Sequence, residues 1–506
     1  MSRGAHMNFT FIDWIIVFVY LTFTISVGIY AKRFVGDLTG YIVAGRRLKL
    51  GVGTATLIAT ELGTVTIMYM GETGYRNGFS ALIMGVIFLV AYFIVGQTGF
   101  IIEGLRQLRV MTIPEFYSIK YSRPVRILGG LILFIGGVLN MGVFLKLDGV
   151  FLSHAMGFGD HAIAVIMILM IFVVGLYTIF GGMVSVVVTD YLQFTVLSVS
   201  MLVVTVFAFR AVSIGDITNT ISQNLGAEGF NPFASESLGW TFVFWMLLSN
   251  FAAAALWQPG TSRALSAESP KTGKRVFLIS SLTFAGRAMI PMMWGIIALT
   301  IYPGLTGDDA MAAMPRMLGE ILPTGIIGIL IAGMLAASMS TYSAYLLAWA
   351  SVITRDVIWA LTSERLSDNT LMTITRIWVG IIGVFLVVFG LWYKLPDSAL
   401  KYIYITGNIY TAGAISAIGF GLYWKKANNV GAYAAIITGA VTPVAFLLLA
   451  NFRDSLPGAI AWAANANYSG FISFGLGAFG MVAGSLLTQK ISPPKDLRPF
   501  FEKGDK

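Results

Sequence analysis

Cysteine is absent from all 506 residues, which excludes disulfides, thiolate chemistry and soft-metal sites and leaves the redox compartment unreadable. Charge is scarce: 11% of residues are Asp, Glu, Lys or Arg, against about 25% in soluble domains. Histidine occurs only at His6, His154 and His161. The first belongs to Met1–His6, which reads as a cloning scar ahead of a native Met7, and the other two fall in one outer loop. No two carboxylates stand at catalytic spacing, so the chain does not read as an enzyme. The first apolar run lacks a basic leader and a small-residue cleavage site, so no cleavable signal peptide is expected.

What fills the chain is apolar. Hydrophobic residues make up 57% and mean hydropathy is +0.80. Apolar runs of membrane length recur from end to end, which specifies an all-α polytopic membrane protein in a lipid bilayer. Thirteen transmembrane helices are predicted, at 11–31, 50–71, 79–103, 126–152, 161–180, 186–210, 240–258, 276–302, 322–353, 371–393, 401–423, 430–451 and 468–489. Residues 7–491 form one transmembrane domain and 492–506 a short charged tail with no room for a signalling domain. Of 33 Lys and Arg, 24 lie in loops after odd-numbered spans or in the tail, and seven on the opposite side. The positive-inside rule then places the amino terminus outside and the carboxyl terminus in the cytoplasm of a cell (plasma) membrane. The net charge of +9 is thus a topology signal rather than a nucleic-acid signal, and no obligate protein partner is evident.

Polar residues inside a bilayer are costly and usually functional. Ser340, Thr341 and Ser343 share one side of a helical turn, flanked by Ala336, Ala337 and Ala344, whose small side chains admit a close neighbour. Hydroxyls beside a backbone carbonyl in a dry site suit a small hard cation; alternatively they bond back to carbonyls of their own helix. The second span is interrupted by Ala59-Thr60-Glu61-Leu62-Gly63-Thr64-Val65-Thr66, which can unwind and free carbonyls for a cation. Glu61 either handles cation or substrate, pairs with Lys146, or stays protonated. Trp257-Gln258-Pro259-Gly260 is a second break, either an ordinary helix end or a cavity wall. Asn140, Lys146 and Asp148 are polar in the fourth span. Arg287 in the eighth reads as structural or snorkelling, and Asp190 as a water-exposed helix cap or a buried functional carboxylate.

Several motifs in order carry a resemblance: Gly40-Tyr41-Ile42-Val43-Ala44-Gly45-Arg46; Thr112-Ile113-Pro114-Glu115-Phe116 with Lys120-Tyr121 and Val125-Arg126; Tyr177-Thr178, Gly181-Gly182 and Thr189-Asp190 with Gln193; and Arg263-Ala264-Leu265-Ser266-Ala267-Glu268-Ser269. Together they resemble the sodium:solute symporter family over nearly the whole chain, and the branch around Ser340-Thr341 is most similar to its proline-transporter subgroup. The resemblance implies a five-plus-five inverted-repeat core at about 50–210 and 240–423, with the second and seventh spans broken. It implies a Na+ site from the carbonyls of Ala59, Leu62 and Ala337 and the hydroxyls of Ser340 and Thr341. A second sodium site would use the positions of Asp190, Ser340, Ser343 and Ala344. Ala344 has no hydroxyl, so Asp190 and Ser343 serve either a second sodium or the first site and its release path. The substrate, a small organic solute, would sit near Gly63, Thr64, Thr66, Asn140, Trp257, Gln258 and Tyr404. Some acid-carrying members have arginine at the position of Asn140, and Glu61 favours an amino acid or amine. The function so implied is sodium-coupled symport by alternating access; a proton-coupled transporter and a solute sensor on a transporter body are the alternatives.

Overall fold

The computed structural model describes residues 9–34, 36–235, 237–393, 399–450 and 465–504. The leader Met1–His6 and the cations Lys394, Arg453 and Lys506 lie outside the described residues. In hydrocarbon every backbone polar group must find an internal partner. The apolar runs accordingly form helices, and among the described residues the only β pairing is an isolated bridge between Leu48 and Ala267.

In chain order the helices that bear on the site and its scaffold are α1 (Phe11–Ala31), α2 (Leu50–Glu61), α3 (Thr64–Asn77), α4 (Ile83–Thr98), α5 (Arg123–Met141), α6 (Phe144–Ala155) and α7 (Ile163–Ala211). They continue with α8 (Gly239–Leu256), α9 (Gln258–Ser266), α10 (Pro270–Ile301), α11 (Ile326–Val352), α12 (Asp368–Trp392), α13 (Ala399–Tyr423), α14 (Asn429–Ala450) and α15 (Ala466–Leu487). Among the described residues ten helical stretches are long and apolar enough to cross a membrane, so that measure does not reach the thirteen predicted spans. Three causes are visible. The second span is split into α2 and α3, and α13, which carries Thr406, Asn408 and Thr411, is not among the ten. The spans predicted at 161–180 and 186–210 join in α7, which is divided at Gly182 (φ 50°, ψ −148°). Only glycine fits there, because a Cβ would run into the ring and carbonyl of Tyr41.

Both sequence breaks are real. Leu62 (φ −101°, ψ 62°) and Gly63 (φ −76°, ψ 160°) leave the helical region between α2 and α3. Trp257 (φ −79°, ψ 111°) separates α8 from α9, where Pro259 stands in the first turn, a place that needs no amide hydrogen. Against both breaks runs α11, buried at every residue from Leu330 to Val352. It packs on α1, α2, α3, α5, α6, α7, α9 and α12. Small residues on this helix allow those approaches, and its hydroxyls are thereby aimed at protein rather than lipid.

Candidate functional site

Where α2 stops, its last carbonyls lose their intrahelical partners. The Thr60 carbonyl accepts from Thr341 Oγ1 at 3.0 Å, and the Glu61 carbonyl accepts from the Arg287 guanidinium and from Thr66 Oγ1. Among the described residues no side chain claims the carbonyls of Ala59 and Leu62. Gly63 is the close-approach point: a Cβ on it would lie 2.5 Å from Thr341 Oγ1. The structure therefore brings the break in α2–α3 against Thr341 of α11, beside Ser340, a juxtaposition in line with what the resemblance implies.

Asp190 is neither a cap nor water-exposed. It is fully buried within α7, past the Gly182 bend. Its Oδ1 accepts from Ser340 Oγ at 2.6 Å, and its Oδ2 from Arg263 at 2.9 Å, from Thr60 Oγ1 at 3.3 Å and from Thr56 Oγ1. One carboxylate thus fastens α2, α7, α9 and α11 together. Arg263, read from sequence as a loop residue, lies in α9, is fully buried and also donates to the Pro259 carbonyl at 2.9 Å. Its guanidinium is a built-in cation on the Asp190 carboxylate. Ser343 Oγ donates to the Ser340 carbonyl of its own helix at 3.0 Å rather than to Asp190.

The pairing of Glu61 with Lys146 is overturned. Lys146 Nζ donates to the Tyr393 carbonyl at 3.1 Å, while Glu61 Oε2 stands 3.6 Å from Arg287 Nη1. The Arg287 guanidinium lies over the rings of Phe284 and Phe88, 4.3 and 4.7 Å from their centroids. Arg287 is therefore neither snorkelling nor remote from the pocket: ring faces and a carboxylate hold its charge at the cavity wall.

That cavity, about 90 Å³, lies between the two breaks. Of the residues expected near the substrate, Glu61, Gly63, Thr66, Asn140, Trp257 and Tyr404 line it, together with Thr60 and Thr341. Thr64 and Gln258 do not. Thr64 Oγ1 donates to the Met334 carbonyl at 2.8 Å, and Gln258 Oε1 accepts the Ile113 amide at 2.8 Å. The wall also contains Arg287, which reads from sequence as structural or snorkelling, and Tyr69, Tyr92, Ser249, Asn250, Tyr345 and Asn408, none of them singled out by sequence. Two signals could have found part of this set. Ser249-Asn250 is a polar pair within an apolar span ahead of the Trp257 break, and Asn408 lies one helical turn beyond Tyr404 on the same face. The additions are interlinked: Tyr404 donates to Asn250 at 2.9 Å, Ser249 to Asn408 at 3.3 Å, and Trp257 Nε1 to Tyr345 at 3.0 Å. Asn140 Nδ2 donates to Thr406 at 3.0 Å.

A pattern described as the sodium:solute symporter family matches residues 41–439. The chain belongs to that family. The symporter is 23% identical over 459 residues to the sodium/sialic acid symporter SiaT of Proteus mirabilis, covering 87% of this chain and 90% of that one. It is 24% identical over 461 residues to the sodium/pantothenate symporter of Haemophilus influenzae, covering 87% and 92%. To sodium/glucose cotransporter 4 of Danio rerio it is 22% identical over 485 residues, covering 86% and 72%. Its fold is similar to that of a Na+-coupled sialic acid symporter solved in a substrate-bound outward-open state, with TM-score 0.80 and 20% identity over 96% of this chain and 99% of that one. The symporter is thus an all-α, multi-pass membrane transporter of inverted-repeat fold, and sodium is its coupling ion at the level of the family. These relatives are named for sialic acid, pantothenate and glucose, and the amine preference read from Glu61 finds no support among them. In this structure the Glu61 carboxylate already faces the Arg287 guanidinium.

Proposed function

We propose that the symporter couples sodium entry to import of a small, polar, hydroxyl-bearing solute, with its amino terminus outside and its carboxyl terminus in the cytoplasm. The sodium ligands are the carbonyls of Ala59, Leu62 and Ala337 and the hydroxyls of Ser340 and Thr341. The observation that carries this reading is the contact of Gly63 and Thr60 with Thr341, which lays the unwound end of α2 on the α11 hydroxyls. A cation there ties the broken span to the buried helix, and its loss frees them to part. The bias it exerts on the outward-open state equals its difference in affinity between states. Asp190 and Ser343 support this site, because Arg263 already occupies the carboxylate that a second sodium would need.

The solute pocket is walled by Trp257, Tyr69, Tyr404 and the amides of Asn140, Asn250 and Asn408. Amides and phenols offer both donors and acceptors, which suits several hydroxyls. Ligand pockets usually measure roughly 300–1,000 Å³, so a cavity of about 90 Å³ is contracted and widens when solute enters. A proton-coupled route through Glu61 or Asp190 is disfavoured by the arginine that faces each.

The test is thermal unfolding of the purified protein in sodium and in potassium, crossed with sugars, polyols, hydroxy acids, amino acids and amines. A folded-state ligand raises the midpoint by mass action. A rise specific to sodium, enlarged by a hydroxylated solute only with sodium present, is expected. Ser340→Ala and Thr341→Ala raise half-saturating sodium without loss of expression; unchanged values in both would remove the site. A midpoint that ignores sodium but follows pH and solute would select proton coupling instead.

A further inference from the structure

On the face that carries the basic loops, a groove of about 800 Å³ opens between the segment before α2 and the second half of α7. It is separate from the solute cavity. One wall holds Arg46, Arg47, Lys49 and Arg109; the other is apolar, with Val184 and Val188. Val188 is 41% exposed and Val184, one helical turn before it and past the Gly182 bend, is half-buried, so the two lie on the lipid-facing side of α7. The groove therefore runs without interruption from a cationic rim into the hydrocarbon.

The rim is held in an unusual backbone. Ala44, Gly45 and Arg46 are consecutively left-handed (φ 46°, 62° and 56°), and Arg109 adopts φ 57°. Non-glycine residues in this region are strained, and such strain collects at functional places. Arg46 is pinned to the Arg109 carbonyl through one guanidinium nitrogen, while its Nε is buried without a hydrogen-bond partner. Among the described residues none of the four cations stands in an ion pair. The groove's one carboxylate, Asp37, accepts the Gly40 amide at 2.6 Å. Glu115, whose charge reaches Arg46, is taken by Arg355 at 3.1 Å. The crowding is electrostatically felt: burial, then Arg46 and Arg109, push neighbouring Arg106 down to about 10. A fold that gathers like charges beside hydrocarbon leaves room for an anion that is itself attached to hydrocarbon.

We propose that this groove binds the headgroup of an anionic phospholipid, its phosphate diester against Arg46, Arg47 and Lys49 and an acyl chain along Val184 and Val188. Guanidinium groups match phosphate oxygens in geometry, and cationic side chains at the membrane surface favour acidic lipid. The lipid would clamp the loop before α2 to α7, the helix that holds Asp190.

The experiment uses the full chain in detergent and potassium, so that its outcome is independent of the sodium site. The thermal midpoint is titrated with dioctanoyl phosphatidylglycerol, dioctanoyl phosphatidylcholine and inorganic phosphate. The expected result is a saturable rise with phosphatidylglycerol alone. In Arg47→Gln/Lys49→Gln, both exposed positions, the midpoint without lipid is unchanged and apparent affinity falls about thirty-fold. Val188→Trp, which keeps every charge and fills the apolar wall, also weakens the response. An equal rise with phosphatidylcholine, an equal rise with phosphate, no rise, or a rise that neither variant alters would each overturn the proposal.

Discussion

Gly63→Ala is the sharpest perturbation of the sodium site. Gly63 has φ −76° and ψ 160°, a conformation open to alanine, so backbone strain plays no part. The obstacle is Thr341: the new Cβ would stand 2.5 Å from its Oγ1, 3.2 Å from its Cβ and 3.3 Å from its Cγ2. Comfortable separations are about 3.5 Å or more, so Oγ1 must withdraw by about 1 Å. Thr341 is β-branched, stiff at χ1 and 3% exposed, with its hydroxyl bonded to the Thr60 carbonyl at 3.0 Å. Overpacking of this kind costs about 1–3 kcal/mol, and a displacement of 1 Å removes Thr341 from any shared ligand geometry. Half-saturating sodium, read from the thermal midpoint across a sodium titration, should rise roughly tenfold or more. Gly63→Ala/Thr341→Ser should recover part of the loss, because serine lacks Cγ2 and its hydroxyl rotates more freely. The reasoning is refuted if Gly63→Ala leaves half-saturating sodium unchanged, or if its effect is the same in a Thr341→Ala background, where a double-mutant cycle should show coupling.

Other expectations concern the buried charges. Arg287→Met strands Glu61 and should destabilise by about 3–5 kcal/mol, whereas Lys146→Met, which loses one bond to the Tyr393 carbonyl, should cost about 1 kcal/mol; unfolding midpoints of the two compare them directly. Arg263→Met should destabilise similarly, and Arg263→Met/Asp190→Asn should recover much of the loss, which equal midpoints for single and double variants would contradict. Burial pushes the Glu115 carboxyl up, but Arg355, Arg126 and the Met111 amide outweigh it and leave it below its ordinary 4.5. A carboxyl depressed in the folded state stabilises above its unfolded value and loses that contribution as pH falls through the folded one. Stability should therefore decline below about pH 4.5. Glu115→Gln should flatten that decline, and unfolding midpoints measured from neutral to acid pH would show it.

The sequence was most readable where a single segment contradicts itself. A polar, glycine-bearing stretch in an apolar run announces the break at Leu62–Gly63, and Pro259 beside Trp257 announces the other. Three hydroxyls within one turn of α11 carry their own spacing. Pairings between elements have no such local trace. Glu61 and Arg287 are 226 positions apart, and Asp190 and Arg263 are 73 apart; nothing in either segment says which cation arrives. Lys146 was a reasonable candidate by depth, yet its ammonium turns to the carbonyl of Tyr393. Asn250 and Asn408 do leave local traces, a neighbouring Ser249 and a Tyr404 one turn away, but that their side chains share one wall appears only when α8 and α13 are packed together. The missing pairing signal also produced the amine reading, since a carboxylate seen without its guanidinium looks like a site for a cationic solute.

The unbroken burial of α11 from Leu330 to Val352 has a consequence for how the protein is made. A helix with no lipid-facing side and several hydroxyls gains less from the bilayer than α7 does, and it relies on protein neighbours for that shortfall. Of the helices named above that it packs against, α1, α2, α3, α5, α6, α7 and α9 precede it in the chain and only α12 follows. Synthesis proceeds from the amino terminus, so the receiving groove is already present in the membrane when the hydroxyl-bearing segment emerges. The ion site is then completed by the arrival of a late helix into an early scaffold, and errors in that scaffold strand α11 before any transport can begin.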